Sequence, residues 1–207
     1  MELKREISWR YEEELYARGL FQIAGVDEVG RGPLAGSVVA AAVILPRGFK
    51  GGGLNDSKKL TPAKRSQRAA ELRGNPEVIW ALGEATVEEI DQHNILQATF
   101  IAMRRAVAAL SRKPDFALVD GNQDPKLGLP IQTVVGGDGL SPSIAAASII
   151  AKQHRDEGME ILAEKYPGYG FEKHKGYGTA MHLAALQKLG PTPIHRMSFE
   201  PVRKSLR

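Results

Sequence analysis

The sequence predicts an α/β fold, and three observations carry that expectation. Five short apolar runs, at 21–26, 37–45, 78–85, 115–120 and 131–135, have the length of strands. Longer segments with helix-start signals follow or separate them, at 62–72, from 86 onward and from 141 onward. Glycine or proline marks the joints, at Gly19, Gly30, Gly36, Gly74, Pro114 and Gly136. Strands alternating with helices are the pattern of an α/β sheet. With 207 residues, 43% of them hydrophobic, the chain suits one domain with a full core.

Taken in order, residues 4–19 are charged with Ile7, Trp9, Tyr11, Leu15 and Tyr16 interspersed, which predicts an exposed helix lying on the body and stopped by Gly19. The first strand, 21–26, ends at the adjacent acids Asp27 and Glu28. Three glycines and a proline then supply a turn. The second strand, 37–45, is apolar throughout and reads as buried. A four-glycine loop spans 48–53. Thr61 caps a helix with Pro62 at its first position, running to about Leu72 and ending at Gly74. Thr86 and Glu89 form a capping box after the third strand. Leu96, Phe100, Met103, Val107 and Leu110 recur at helical spacing and predict its core-facing stripe.

Lys113-Pro114 breaks that helix before the fourth strand, which ends in Asp120. The fifth strand runs into Gly136-Gly137-Asp138-Gly139. Ser141-Pro142 starts a second long helix whose small residues, 143–151, let it press close to the sheet. Residues 166–170 read as a loop, and 171–179 mix basic, aromatic and glycine residues. A last amphipathic helix spans 179–189, and 194–207 reads as a basic tail containing His195-Arg196.

Composition excludes several classes. There is no cysteine, so disulfides and thiolate metal sites are ruled out, and a reducing, cytoplasmic setting is expected. The first ten residues lack the apolar core of a secretory signal. No run approaches the ~18 apolar residues of a membrane span. The net charge of +4 is unevenly placed. Residues 148–207 hold ten Lys or Arg against six Asp or Glu, whereas the remainder balances. A basic flank on a neutral body suits a polyanion such as nucleic acid.

Asp27, Glu28, Asp120 and Asp138 all fall where a predicted strand ends. Strand ends that share a pole build the sites of α/β sheets. Four crowded carboxylates repel unless a cation neutralises them, and oxygen-only ligands favour Mg²⁺ or Mn²⁺ over zinc. Successive strand residues face opposite ways, so Asp27 and Glu28 are expected to share that pole because the chain turns there. The alternative for the pair alone is a solvated turn. A dinucleotide loop at Gly30, Gly32 and Gly36 fits poorly, because such a loop opens a helix and here a strand follows. Asp56-Ser57-Lys58-Lys59 precedes a helix N-terminus, where it is either a phosphate-binding segment or a solvated loop. Tyr177, among lysines and glycines, suits stacking on sugars or bases, or else simple packing.

The segments Val26-Asp-Glu-Val-Gly-Arg-Gly-Pro-Leu-Ala-Gly36, Asn55-Asp-Ser-Lys-Lys-Leu60, Val119-Asp-Gly121, Ser143-Ile-Ala-Ala-Ala-Ser-Ile-Ile-Ala-Lys152, His174-Lys-Gly-Tyr-Gly-Thr179 and His195-Arg-Met-Ser-Phe-Glu-Pro201 closely resemble bacterial ribonuclease HII. The resemblance implies a ribonuclease H-like mixed five-stranded sheet flanked by helices, with a helical C-terminal part. It implies endonucleolytic hydrolysis of the RNA strand of RNA/DNA hybrids, and cutting on the 5′ side of ribonucleotides embedded in duplex DNA. It also implies a two-metal site of Mg²⁺ or Mn²⁺ held by Asp27, Glu28 and Asp120, with Asp138 at the second metal or the attacking water. Gly30, Arg31 and Gly32 match the family's contact to the junction phosphate and 2′-hydroxyl, and Tyr177 its sugar-stacking ring; Ser57 and Lys58 are candidate substrate contacts from their place before the helix.

Two departures stand out: Gly137 where many relatives carry lysine, and Gln153-His154 before Arg155-Asp156. A monomer is expected. The chain ends Lys204-Ser-Leu-Arg207 with no Gln-x-x-Leu-Phe-like peptide, so binding to a sliding clamp is not expected. The rival readings are a non-catalytic nucleic-acid binder and a nuclease of all-DNA substrates with the same general fold.

Overall fold

Five strands form one mixed sheet in the computed structural model, which describes residues 7–50, 54 and 60–206. Strands β1 (Ile23–Val29), β2 (Val38–Ile44) and β3 (Ile79–Ala85) make an antiparallel meander, while β4 (Phe116–Asp120) lies parallel to β1 and β5 (Ile131–Val134) parallel to β4. The order across the sheet is β3-β2-β1-β4-β5. A short loop at 30–37 allows the β1–β2 hairpin. A parallel neighbour needs a crossover, and helix α3 (Val87–Ala108) lies on the path from the meander to β4. Every residue of β2 is buried, as its unbroken apolar run requires of a strand covered on both faces.

The alternation of β2 sorts the two faces. Val38, Ala40, Ala42 and Ile44 pack with Ala98, Ala102 and Ala106 of α3. Val39, Ala41 and Val43 pack with Ala146, Ile149 and Ile150 of α4 (Pro142–Lys165) and with Leu72 of α2 (Pro62–Gly74). Small residues set the spacing on both sides. A Cβ on Gly25 would overlap the backbone of Ser143 and Ile144, and one on Gly83 the backbone of Ala102 and Ala106. The close approach expected of 143–151 is therefore present, and α3 has its own counterpart.

The expected caps form: Thr61 accepts from Lys64 N–H, Ser141 from Ile144 N–H, and Thr86 and Glu89 make the reciprocal box. The expected stripe of α3 faces the core at Phe100, Met103, Val107 and Leu110, beside a row of alanines. Met103 and Val107 are buried, but Leu96, Phe100 and Leu110 are only half-buried, and Ala98, Ala102 and Ala106 make the closest contact. The helix kinks at Asn94 (φ 68°, ψ 163°), whose Oδ1 accepts from Leu96 and Gln97 N–H and restarts it with a new cap.

Helix α1 spans Arg10–Tyr16 within the expected segment. It is not simply exposed, because Glu12, Leu15 and Tyr16 are buried. The expected basic tail is also corrected. Residues 166–206 fold over the sheet's end as α5 (Phe171–His174), α6 (Ala180–Leu189) and α7 (Glu200–Lys204), closing a second core around Phe171, Leu186 and Val202 with Leu34 and Met159. His195 and Arg196 are buried within it, and His195 bridges Ala35. Among the described residues no helix is long and apolar enough to cross a membrane.

Candidate active site

The acids gather at one pole of the sheet, but not by the expected turn. Strand β1 continues through Asp27 and Glu28, because β2 pairs with it as far as Val29 while pairing with β4 stops at Val26. The pair thus lies inside a strand. Glu28 and Asp27 leave opposite faces, yet carboxylate oxygens of Asp27, Glu28 and Asp120 all lie within 4.8 Å of one another. The projecting end of β1 beside the last residue of β4 brings them together. Asp27 Oδ1 accepts from Glu28 N–H at 2.7 Å, and Asp120 Oδ1 from Gly137 N–H at 2.7 Å.

Asp138 follows on a 3₁₀ turn at Gly137–Gly139. It is buried and stands outside the three-acid cluster, but close enough for its charge to act on Asp27. Burial first, and then the Glu28 and Asp120 charges, push the Asp27 carboxyl well above the usual carboxylate range; a Ser148 hydrogen bond works against them. Arg31, about half exposed, places its guanidinium 3.7 Å from Glu28. An oxygen-only cluster around the buried Asp27 fits a hard divalent cation.

Beside the acids, the loop 30–37 is shaped by two buried arginines. Gly30 has φ +99°, and a Cβ there would strike the Arg155 side chain. Arg196, fully buried, donates to the carbonyls of Gly30 (2.6 Å), Arg31 (3.1 Å), Pro33 (2.7 Å), Gly36 (2.8 Å) and Ser37 (3.2 Å). Arg155 donates to Ser37, Ala35 and Lys175 carbonyls at 2.9–3.1 Å. The loop's carbonyls therefore point into the protein. Tyr177, 43% exposed, lies against Gly32, where a Cβ would sit 3.3 Å from its ring.

Sequence reasoning did not single out Arg196, Arg155 or Glu12. Glu12, with no exposed surface, accepts from Ser141 Oγ (2.6 Å) and Ser143 N–H (3.1 Å), tying α1 to the start of α4 just after Asp138. The only signal for the two arginines was that Arg196 lies inside a shared motif and Arg155 just beyond one. Each has a histidine just before it, and neither stands in an apolar run that would announce burial.

A groove of about 800 Å³ runs from Glu28 past Arg65 and Lys152 to Lys173, Lys175 and Tyr177. Its wall is set by Asp156, which pairs with Arg65 (2.9 Å) and Lys152 (2.7 Å) and so docks α2 on α4. A smaller recess of about 110 Å³ lies between Glu28, Arg31 and Asp120 on one side and Leu96, Phe100 and Met103 on the other. Part of the supposed core stripe thus faces the site. His154 meets Glu84 at 2.8 Å, and Glu84 also accepts from Ser37 Oγ. The His154 contact is the main reason the Glu84 carboxyl is held below its usual range. Ser57 and Lys58 lie outside the described residues.

The comparisons agree with this geometry. The family model described as Ribonuclease HII matches residues 24–202. Ribonuclease HII of Rhodospirillum rubrum is 60% identical over 189 residues, covering 89% of this chain and 87% of that one. Its counterpart in Chlamydia caviae is 56% identical, covering 94% and 91%. Among solved structures, ribonuclease H2 from Pyrococcus horikoshii matches with a TM-score of 0.76 at 28% identity, covering 89% and 96%. The chain belongs to the ribonuclease HII family and is a ribonuclease H, a divalent-metal-dependent endonuclease of RNA/DNA substrates.

Proposed function

We propose that this enzyme hydrolyses the RNA strand of RNA/DNA hybrids and cuts 5′ to ribonucleotides embedded in duplex DNA, leaving 3′-hydroxyl and 5′-phosphate ends. The observation that carries the reading is the convergence of Asp27, Glu28 and Asp120 within 4.8 Å, beside a turn whose glycines pack tightly on Arg155, Tyr177 and Met159. Asp27, Glu28 and Asp120 would hold the cations, Mg²⁺ or Mn²⁺, with Asp138 serving a second ion or the attacking water. When bound, such a pair supplies the charge that activates water and stabilises the leaving oxygen.

The rest of the site orients the substrate. Arg155 and Arg196 turn the loop's carbonyls inward, which leaves the outer face of Gly30-Arg31-Gly32 free for the phosphate and 2′-hydroxyl of the junction. A 2′-hydroxyl is what separates RNA from DNA at one position, and a side chain at residue 32 would crowd Tyr177. Tyr177 stacks on the neighbouring sugar. Lys173 and Lys175 line the groove along which the duplex backbone lies, and Ser57 and Lys58 add a phosphate contact. The chain works as a single domain and a monomer in the cytoplasm, in ribonucleotide removal during DNA replication and repair.

The test is a DNA duplex carrying one ribonucleotide, incubated with Mg²⁺ or Mn²⁺ and then with EDTA, beside an all-DNA control. Cleavage 5′ to the ribonucleotide, metal-dependent and absent from the control, is expected. Metal-independent binding without product, or equal cutting of the all-DNA duplex, would overturn the proposal.

A further inference from the structure

Beneath Tyr177 lie two fully buried histidines, His182 of α6 and His195, and their hydrogen bonds run in one direction only. The backbone N–H of Thr192, an obligate donor, meets His195 Nδ1 at 2.9 Å. That nitrogen must accept, so the proton of a neutral His195 ring sits on Nε2. His195 Nε2 is 3.0 Å from His182 Nε2, which must therefore accept in turn. The proton of His182 is left on Nδ1, and it donates to the Tyr177 carbonyl at 3.0 Å. A second proton on either ring would set two N–H groups face to face. Burial pushes both rings toward the neutral form, and His195 down to about 4.

The chain ends on both halves of the substrate-facing surface. Tyr177 is at one end. At the other, His195 bridges Ala35 and adjoins Arg196, whose guanidinium holds Gly30, Arg31 and Pro33. Phe171 packs edge-on to the His182 ring at 5.3 Å and tilted to His195 at 5.7 Å, so the two imidazoles have little room to turn.

We infer that His182 and His195 are positioning residues: a one-way hydrogen-bonded strut from Thr192 to the Tyr177 carbonyl that fixes the Tyr177 ring over Gly32 and so sets how the site engages the sugar at a ribonucleotide junction. The inference rests on the reading of Tyr177 as the sugar-stacking ring. It adds that the ring's placement is governed by a pair that touches no substrate.

A double-mutant cycle tests it, with kcat and KM measured on the single-ribonucleotide duplex. Tyr177→Ala should lower kcat/KM roughly tenfold, the worth of one stacking contact. His182→Ala should lower it about threefold, the worth of one hydrogen bond. The double variant should fall within about twofold of Tyr177→Ala alone, because the strut acts only through that ring. His182→Asn keeps an amide donor where Nδ1–H stood and should recover most of the loss, whereas His182→Gln should not.

Multiplying effects in the double variant, a silent His182→Ala, or glutamine rescuing as well as asparagine would each overturn the strut while leaving Tyr177 its role. An unchanged Tyr177→Ala would instead overturn the sugar-stacking reading itself. Should His182→Ala fail to fold, the contrast between asparagine and glutamine decides.

Discussion

Two clusters of buried charge flank the loop 30–37, and they are built on opposite principles. On one side Asp27, Glu28 and Asp120 crowd like charges together, and burial with mutual repulsion drives the Asp27 carboxyl well above its usual range. On the other side Arg196 and Arg155 are more deeply buried still, and burial with the Arg155 charge pushes Arg196 down to about 9. Backbone carbonyls nevertheless accept from each guanidinium, and burial drives the nearby His182 and His195 toward the neutral form. Burial of charge is common to both. What separates a candidate reaction site from a brace is whether the protein itself satisfies the charge. The acidic pole suits an external cation, whereas the arginines of the brace donate to the chain's own carbonyls.

The contrast breaks most sharply at Asp27. Asp27→Asn removes a charge from the proposed metal site, so cleavage of the single-ribonucleotide duplex should fall by at least about 100-fold, the loss of several kcal/mol of transition-state stabilisation. Asp120→Asn should act likewise. Hybrid binding should largely survive in both. The melting temperature of metal-free Asp27→Asn should equal or exceed that of the unmutated protein, since the substitution relieves the repulsion. Full activity in either purified variant would refute the assignment, and a large drop in metal-free melting temperature would refute the account of the pole as strained.

Arg196 predicts the reverse pattern. Arg196→Ala takes the arginine donor from the carbonyls of Gly30, Arg31, Pro33 and Gly36, while Ser37 keeps Arg155, and unsatisfied buried groups make such losses large, here about 3 kcal/mol. For a chain of this length that is a melting-temperature fall of roughly 6–12 °C. Arg196→Lys keeps the charge without the planar fork and should recover only part of it. A melting temperature within about 2 °C of the unmutated protein in Arg196→Ala would show that the brace is not what holds the loop.

The same contrast explains what the sequence revealed. Elements governed by neighbours a few residues away were legible: the caps at Thr61, Thr86 and Ser141, the apolar run of β2 and the small-residue face of α4. So were the acids, because three adjacent signals (a strand, two carboxylates, a glycine turn) coincide. That Asp27 and Glu28 lie inside the strand was not legible, because it depends on β2 outlasting β4 as a partner. Arg196 read as a solvated tail because its partners lie some 160 residues earlier, and nothing near it announces burial. Glu12 is the same case at the other end of the chain. Its carboxylate reaches Ser141 and Ser143 at the N-terminus of α4, where a negative charge is favoured. Glu12→Ala should cost about 1–2 kcal/mol, with Glu12→Gln milder because an acceptor remains. Equal melting temperatures for the alanine variant and the unmutated protein would remove Glu12 from the account.

The smallest effect sharpens the neutral half of the brace. His195 has its pKa depressed from 6.5 to about 4 by burial first and His182 second. As pH falls, the unfolded chain takes up this proton first, so the unfolded state gains stability and the folded state loses ground from near pH 6.5 down to about 4. Above that window neither state carries the proton, and below it both do. Between pH 7.5 and 5.5 this one group should remove about 1 kcal/mol from the folding free energy. His182 is shifted in the same direction, again chiefly by burial, and adds to the loss. In denaturant titrations at the two pH values, His195→Asn should be less stable at pH 7.5 but show a visibly shallower decline toward pH 5.5. If its decline were as steep as that of the unmutated protein, His195 would not be the buried neutral group that the one-way hydrogen bonding requires, and the brace would contain a charge it does not satisfy.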